Sequence, residues 1–378
     1  MSTATQDLDS MVKSKFRVSD KTQLQDGSVE YRVFHGSESK RRFEELCGEL
    51  APLGLTPLLL GDEEDCRLIL RREDARVQEP RSQWSLGIPR TVGLFVLVSI
   101  AVFALLEAEI YASYSPGTPL YLVFATYASS VGAILAAHEF GHRFLSWRLR
   151  VAPPVTYVVP GIPTVTSFLP VLGSVSTQRL PAVNRDQLFD LMVAGPLAAL
   201  LVAIVLYSCG QFIAVQSSLP TQGAPMVGSF ISVGQVSPSV LQRIIDAVLS
   251  PFTQSAVSGL QKLSPLEDAA TVGFMLTFIG LFPLAYFDGG YLFAAVFGDR
   301  ASRIATYIGV LTLFVLDTPR YWALAVLVLL LAGGSVDLRL RDNVSKVSKG
   351  RKAFLLILIL LAFLSLPVPV NIATFPLG

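Results

Sequence analysis

The chain has 378 residues, 52% of them hydrophobic and only 16% charged, with a net charge of +1. A soluble protein of this size carries about a quarter charged residues, so the composition points to a membrane protein. The balanced charge gives no support for nucleic-acid binding, and Cys47, Cys66 and Cys209 are too few and too scattered for a disulfide framework.

Charge is concentrated at the front. Residues 1–85 read as a small α+β domain, expected in the cytosol, with the element order β-α-β-β. The first ten residues are polar, so no cleavable signal peptide is expected. Residues 29–34 alternate as a short strand. Ser37 opens a helical stretch with Phe43, Leu46 and Leu50 on one face, ending near Gly54. Residues 55–60 and 66–70 read as two strands around the turn that starts at Gly61.

Beyond residue 90 the chain turns apolar. A spanning helix needs about 20 apolar residues. Residues 91–111, 120–147, 187–207, 269–287 and 353–370 meet that standard, and 304–316 and 321–336 are shorter runs. The sum is seven spans, or six if the two short runs form one hairpin. Residues 151–181 are apolar but strewn with Pro and Gly, so they read as a short re-entrant β-region beside a cavity. In the long loop 208–267, residues 237–252 form a candidate surface helix.

Lys and Arg beside the spans favour the cytoplasmic side. Arg148, Arg150, Arg179, Arg185, Arg300, Arg303 and the basic stretch from Arg339 to Lys352 fall on one side, against Arg243, Lys262 and Arg320 on the other. This places the first domain in the cytoplasm and the C-terminus outside. The expected architecture is a membrane all-α bundle of about 6–7 transmembrane helices with a small re-entrant β-region. It divides into the domain 1–85, a core 90–345, and a basic loop with the last span in 346–378.

The second span contains His138-Glu139-Phe140-Gly141-His142. Histidines at i and i+4 share a helix face, so both rings can reach one metal ion. Glu139 is turned about 100° from His138 and can handle a proton without being a ligand. Zinc suits imidazole and lowers the pKa of a bound water towards about 7, which gives a carboxylate base something to deprotonate. Ionisable groups inside a spanning helix are costly and usually mark function. The third ligand is expected from Asp288, the acidic residue at the end of the fourth span, on the same side as the histidines. Pro283 can break that helix, and Gly289-Gly290 can bend the backbone to bring the carboxylate across.

The HEFGH sequence within a span, the later Phe287-Asp288-Gly289-Gly290, and Asp190 to Pro196 (DLMVAGP) on the intervening span resemble the site-2 protease family of intramembrane zinc metalloproteases, peptidase family M50. The phrases Phe168-Leu169-Pro170, Leu172-Gly173-Ser174 and Asn184 to Asp190 (NRDQLFD) are similar to its archaeal and chloroplast branch. The resemblance covers roughly residues 90–345. It implies one Zn²⁺ per chain held by His138, His142 and Asp288, with Glu139 as catalytic base. It implies peptide-bond hydrolysis inside the lipid bilayer, on single-span membrane protein substrates already trimmed elsewhere, by a multi-pass protein of the plasma membrane. The stretch 151–181 would be the family's membrane re-entrant β-region, a possible edge for an unwound substrate strand.

Two positions depart from the pattern. The family's Asn eight residues before the metal-binding Asp is Gly280 here, and the Asn that often follows its Ala-Gly-Pro motif is Ala199. Each change removes a side-chain amide able to orient substrate or stabilise an oxyanion. They motivate a second reading, a catalytically weak or inactive metal-binding relative acting as a binding or regulatory protein. A third, a metal or ion transporter, has little behind it, because only Glu107 and Glu109 add ionisable groups to the other spans.

Overall fold

The computed structural model describes residues 2–72, 90–114, 117–166, 169–178, 181–213, 215–220, 236–253, 260–316, 325–329, 338, 340–366 and 368–369. The front of the chain runs α1 (Ser2–Lys15), β1 (Val18–Gln23), β2 (Val29–Val33), α2 (Ser39–Leu50), β3 (Leu55–Gly61) and β4 (Cys66–Arg72). The strands form one antiparallel sheet in the order β1-β2-β4-β3. Alternation puts Leu68 and Leu70 of β4 inside, against Phe43, Leu46 and Leu50 of α2. Helix α2 gives way to a short 3₁₀ turn that ends at Gly54, whose φ of 66° suits a residue without Cβ. Cys47 and Cys66 are buried in this core, and burial pushes both thiols up to about 12, which makes them packing groups rather than nucleophiles.

Helix α1 and strand β1 come in addition to the four expected elements. Leu8, Met11, Val12 and Phe16 lie one turn apart and pack into the same core. Strand β1 is exposed at all but its first residue, so its sequence lacks the alternation of a half-buried strand.

The edge of this sheet does not end in solvent. Leu59 of β3 donates its N–H to Arg341 O at 2.7 Å and accepts from Asn343 N at 3.0 Å. On the far side of the same segment, Arg341 N and Asp342 N donate to Ala182 O (2.9 Å) and Val183 O (2.7 Å). Val344 joins the domain's core, and Lys40 pairs with Asp186. The front domain is thus stitched to residues 182–186 through residues 341–344.

The remainder is mostly helical: α3 (Arg90–Tyr114), α4 (Leu120–Leu149), the one-turn α5 (Pro163–Thr166), α6 (Arg185–Ile213), α7 (Val240–Leu249), α8 (Pro265–Leu281), α9 (Asp288–Phe297), α10 (Asp299–Leu316) and α11 (Lys349–Ser365). Three of the described helices have segments long and apolar enough to cross a membrane: Val92–Ala112, Leu120–Leu149 and Arg185–Ile213. They expose Leu94, Phe95, Phe140, Phe144, Leu201 and Val205, an outside more apolar than water would favour. Helix α8, at 17 residues, is buried along most of its length against α4, α6 and α11. The expected run 321–336 lies mostly outside the described residues, of which 325–329 are helical.

The stretch 151–181 contains β5 (Val155–Pro160) and β6 (Val171–Thr177), paired antiparallel, with α5 between them. The loop after α6 contains α7, capped by Ser239 and Gln242 in a reciprocal box. It also contains β7 (Val215–Pro220) and β9 (Leu260–Leu263), which pair with each other, and β8 (Val236–Ser237), which pairs with β10 (Val368–Pro369).

Candidate metal centre

The site lies where α4, α6, β6 and the start of α9 meet. Helix α4 carries the HEFGH turn and must come close to α6. A Cβ on Gly141 would sit 2.3 Å from Ala194 O, and one on Gly195 would sit 2.3 Å from His142 Nε2. These two glycines therefore set the crossing of α4 and α6 by letting backbone replace side chain. Pro196 lies inside α6, where its ring crowds the preceding turn and one helical N–H is missing. In that turn the Leu191 carbonyl accepts a hydrogen bond from His142 Nδ1 at 2.8 Å.

Asp288 reaches the site because the chain breaks before it. Helix α8 stops at Leu281, and Phe282 is extended, as the residue before Pro283 prefers. The chain then turns through Tyr286, at φ 67°, and restarts as α9 with Asp288 in its first turn. A carboxylate is well placed at a helix N-terminus. Gly289 and Gly290 are not a bend, as the sequence suggested, but the first turn of α9. A Cβ there would lie 2.1 Å from Phe282 O or 2.2 Å from Leu284 O, so the glycines allow the new helix to sit on the loop that precedes it.

The ligand atoms of His138, His142 and Asp288 lie within 4.8 Å of one another. Asp288 Oδ2 is 3.0 Å from His138 Nε2 and 3.5 Å from His142 Nε2, and Asp288 and His142 are both fully buried. With Nδ1 of His142 donating to Leu191, its Nε2 carries the lone pair, and that atom is buried with no hydrogen-bond partner. A lone pair aimed at a carboxylate without a proton between them is the arrangement a cation completes. Two imidazoles and one carboxylate are also the donor set of zinc hydrolases that keep a position open. The residues fit a zinc ion.

Glu139 is on the same turn, and its Oε1 accepts from Arg143 Nε at 2.6 Å, with Arg143 Nη2 also at 2.6 Å. Arg143 could have been found from sequence as an i, i+4 partner. Ser176 of β6 donates from Oγ to Asp288 Oδ1 at 3.0 Å, a pairing across 112 positions for which the sequence gives no signal. Beside the site is a small cleft lined by Val151, Ala152, Pro154, Gln178, Ala182 and Leu191, with room for about one water. Gln178 Oε1 in this lining is buried without a hydrogen-bond partner.

The two departures from the family pattern occupy different surroundings. Gly280 faces Pro196, and a Cβ there would meet nothing nearer than Pro196 Cγ at 3.7 Å. Ala199 is packed in an apolar cluster with Ile134, Leu200, Ala203 and Phe274. Glu107 does not join the site. It is buried in α3 and pairs with Asp268 near the start of α8, as does Tyr111 through its hydroxyl at 3.3 Å.

Fold and site together define a helical, membrane-type protein with a His-Glu-x-x-His helix and a distant Asp converging on one metal position. Residues 126–316, half of the chain, match the model of peptidase family M50, and the chain belongs to that family. It is 23% identical over 241 residues to the probable zinc metalloprotease EGY2, chloroplastic, of Arabidopsis thaliana, covering 62% of this chain. It is 26% identical over 244 residues to the probable zinc metalloprotease EGY1, chloroplastic, of Oryza sativa subsp. japonica, covering 63% of this chain. The match spans 40% of the length of each relative. No solved structure matches the chain.

Proposed function

We propose that this chain is a zinc-dependent intramembrane endopeptidase that hydrolyses peptide bonds in the spanning segments of single-span membrane proteins. The observation that carries the reading is the convergence of His138, His142 and Asp288 within 4.8 Å, with the buried Nε2 of His142 lacking any other partner. Family membership and the names of the relatives support it.

His138, His142 and Asp288 would hold one zinc ion per chain. Bound there, zinc supplies Lewis acidity and makes a water acidic enough to act as a nucleophile near neutral pH. Glu139 is the group that takes the proton from the attacking water and passes it to the leaving amine. Arg143 holds Oε1 through Nε and Nη2, so Oε2 would be the oxygen that takes that proton. Leu191 fixes the tautomer of His142. Water would arrive through the cleft at Gln178, from the end of the bundle where the front domain docks. An extended substrate segment would add to the β5 side of the hairpin, since the other side of β6 is occupied: Ser176 N donates to Tyr286 O at 2.7 Å.

In this reading the three long apolar helices are joined by α8, α10, α11 and a run around 325–329 in a bundle of six or seven spans. Helix α8 rises about 25 Å, close to the hydrocarbon thickness. The protein would lie in the plasma membrane with the front domain on the cytoplasmic side.

The test is to purify the full chain in detergent, measure bound zinc, and follow cleavage of a panel of spanning peptides with Glu139→Ala as control. Stoichiometric zinc and cleavage that vanishes in the variant are expected. Zinc with equal background cleavage in both proteins would sink the protease reading and leave the alternative of a metal-binding relative, which Gly280 and Ala199 favour by leaving no amide at either place.

A further inference from the structure

Ser176 stands near the end of β6, fully buried, and all three of its polar groups reach one short segment of chain. Its N–H donates to Tyr286 O at 2.7 Å. Its carbonyl accepts from the Tyr291 hydroxyl at 2.9 Å. Its own hydroxyl donates to Asp288 Oδ1 at 3.0 Å. The residues so gripped run from the left-handed turn at Tyr286, through the carboxylate, to the first turn of α9. No other polar contact ties the β-hairpin to Asp288 among the described residues.

The hydroxyl divides the carboxylate. One oxygen, Oδ1, is turned towards Ser176, and the other, Oδ2, is the one that faces His138 and His142 at 3.0 and 3.5 Å. A carboxylate free to rotate can offer both oxygens to a metal and fill an additional coordination position. A catalytic zinc site needs three protein ligands and one position left open for water or substrate. Partners of a ligand that fix its orientation commonly matter to affinity as well.

We propose that Ser176 is a positioning residue of the metal centre, holding Asp288 so that it presents Oδ2 alone and the remaining coordination position stays open. The inference rests on the reading of His138, His142 and Asp288 as zinc ligands. It makes the hairpin part of the metal centre, because the strand beside the site also sets the binding mode of a ligand 112 positions away.

The experiment uses the full chain loaded with Co²⁺, whose visible absorption reports coordination number, together with zinc affinity from chelator competition. The wild type should give the strong absorption of a four-coordinate ion. Ser176→Ala should lower that absorption severalfold, as the freed Oδ1 joins the metal, and weaken zinc binding by roughly 10–100-fold. Ser176→Thr, which keeps the hydroxyl, should retain the wild-type spectrum. Tyr291→Phe, which frees the Ser176 carbonyl and leaves the Ser176 hydroxyl on Asp288, should also retain it. Should the alanine variant fail to fold, Thr against Val at position 176 compares a hydroxyl with a methyl of equal size, and only the Val variant should change. A wild-type spectrum and affinity in Ser176→Ala, or in Ser176→Val, overturns the role of Ser176 and leaves the zinc ligands standing. A wild type that takes up neither Co²⁺ nor Zn²⁺ overturns the ligand set itself, and this inference with it.

Discussion

Both ends of the helical bundle bury acids, and they handle them differently. At the α9 end, Asp288 faces two imidazoles, and one of those rings has a buried nitrogen with no proton partner. At the opposite end of α8, Glu107 pairs with Asp268, which also accepts from the Tyr111 hydroxyl. Charged groups in an apolar bundle are costly at either place. Carboxyl and phenol groups can settle that cost among themselves, because each can donate as well as accept. The imidazole of His142, with Nδ1 committed to Leu191, instead turns Nε2 towards the Asp288 carboxylate, an arrangement that a cation would complete. Among the described residues, only the histidine end gathers three candidate ligands. Buried acid alone does not point to a metal; three candidate ligands with an imidazole nitrogen that lacks a hydrogen-bond partner do.

The comparison can be broken most directly at Asp288. Asp288→Ala should lower zinc affinity by more than the roughly 100-fold seen when a ligand merely loses its partner. Equilibrium dialysis would show it, and unchanged binding would mean that another residue is the third ligand. Next comes Glu139→Gln, for which we expect zinc content to be unchanged and peptide cleavage to fall by about 10²–10⁴-fold. Loss of zinc in that variant would make Glu139 a ligand rather than a base. Gly195→Ala forces a methyl to within 2.3 Å of His142 Nε2, so α4 and α6 must part. Thermal unfolding should report a loss of about 1–3 kcal/mol. An alanine tolerated at full stability would show that the helix crossing is looser than the glycines suggest.

Smaller effects are expected elsewhere. Gly280→Asn restores an amide where a Cβ has room, and it should raise cleavage severalfold with zinc binding unchanged. A variant that folds, binds zinc and cleaves no faster would remove Gly280 as an explanation for weak activity. At the opposite end, Glu107→Gln keeps a hydrogen-bonding group of the same size, so stability should move by less than about 1 kcal/mol and zinc affinity not at all. A zinc effect there would erase the distinction between the two ends.

What could be read from the sequence followed the range of the interactions. The HEFGH turn was legible because a helix brings i and i+4 together on its own. The strands around Leu58 and Leu68 were legible from the turn at Gly61 between them, and the β-region at 151–181 from its Pro and Gly. Asp288 was legible because an acid is conspicuous in an apolar run. The function of Gly289-Gly290 was misread as a bend, since the same pair serves close packing inside α9. Ser176 was silent, because its partner is fixed only when β6 lies beside α9. Helix α1 is hidden by its polar composition, although Leu8, Met11, Val12 and Phe16 carry the spacing of one helix face.

The seam at Leu59 has a consequence for how the protein is made. Strand β3 is an edge of the front sheet, and its partners Arg341 and Asn343 leave the ribosome about 280 residues later, tens of seconds at roughly 5–20 residues per second. During that interval most of the bundle must be inserted while the completed front sheet waits with an unpaired edge. Open edges of this kind invite pairing with other chains. The nascent chain therefore carries an open edge at its beginning until residues 341–343 return to close it.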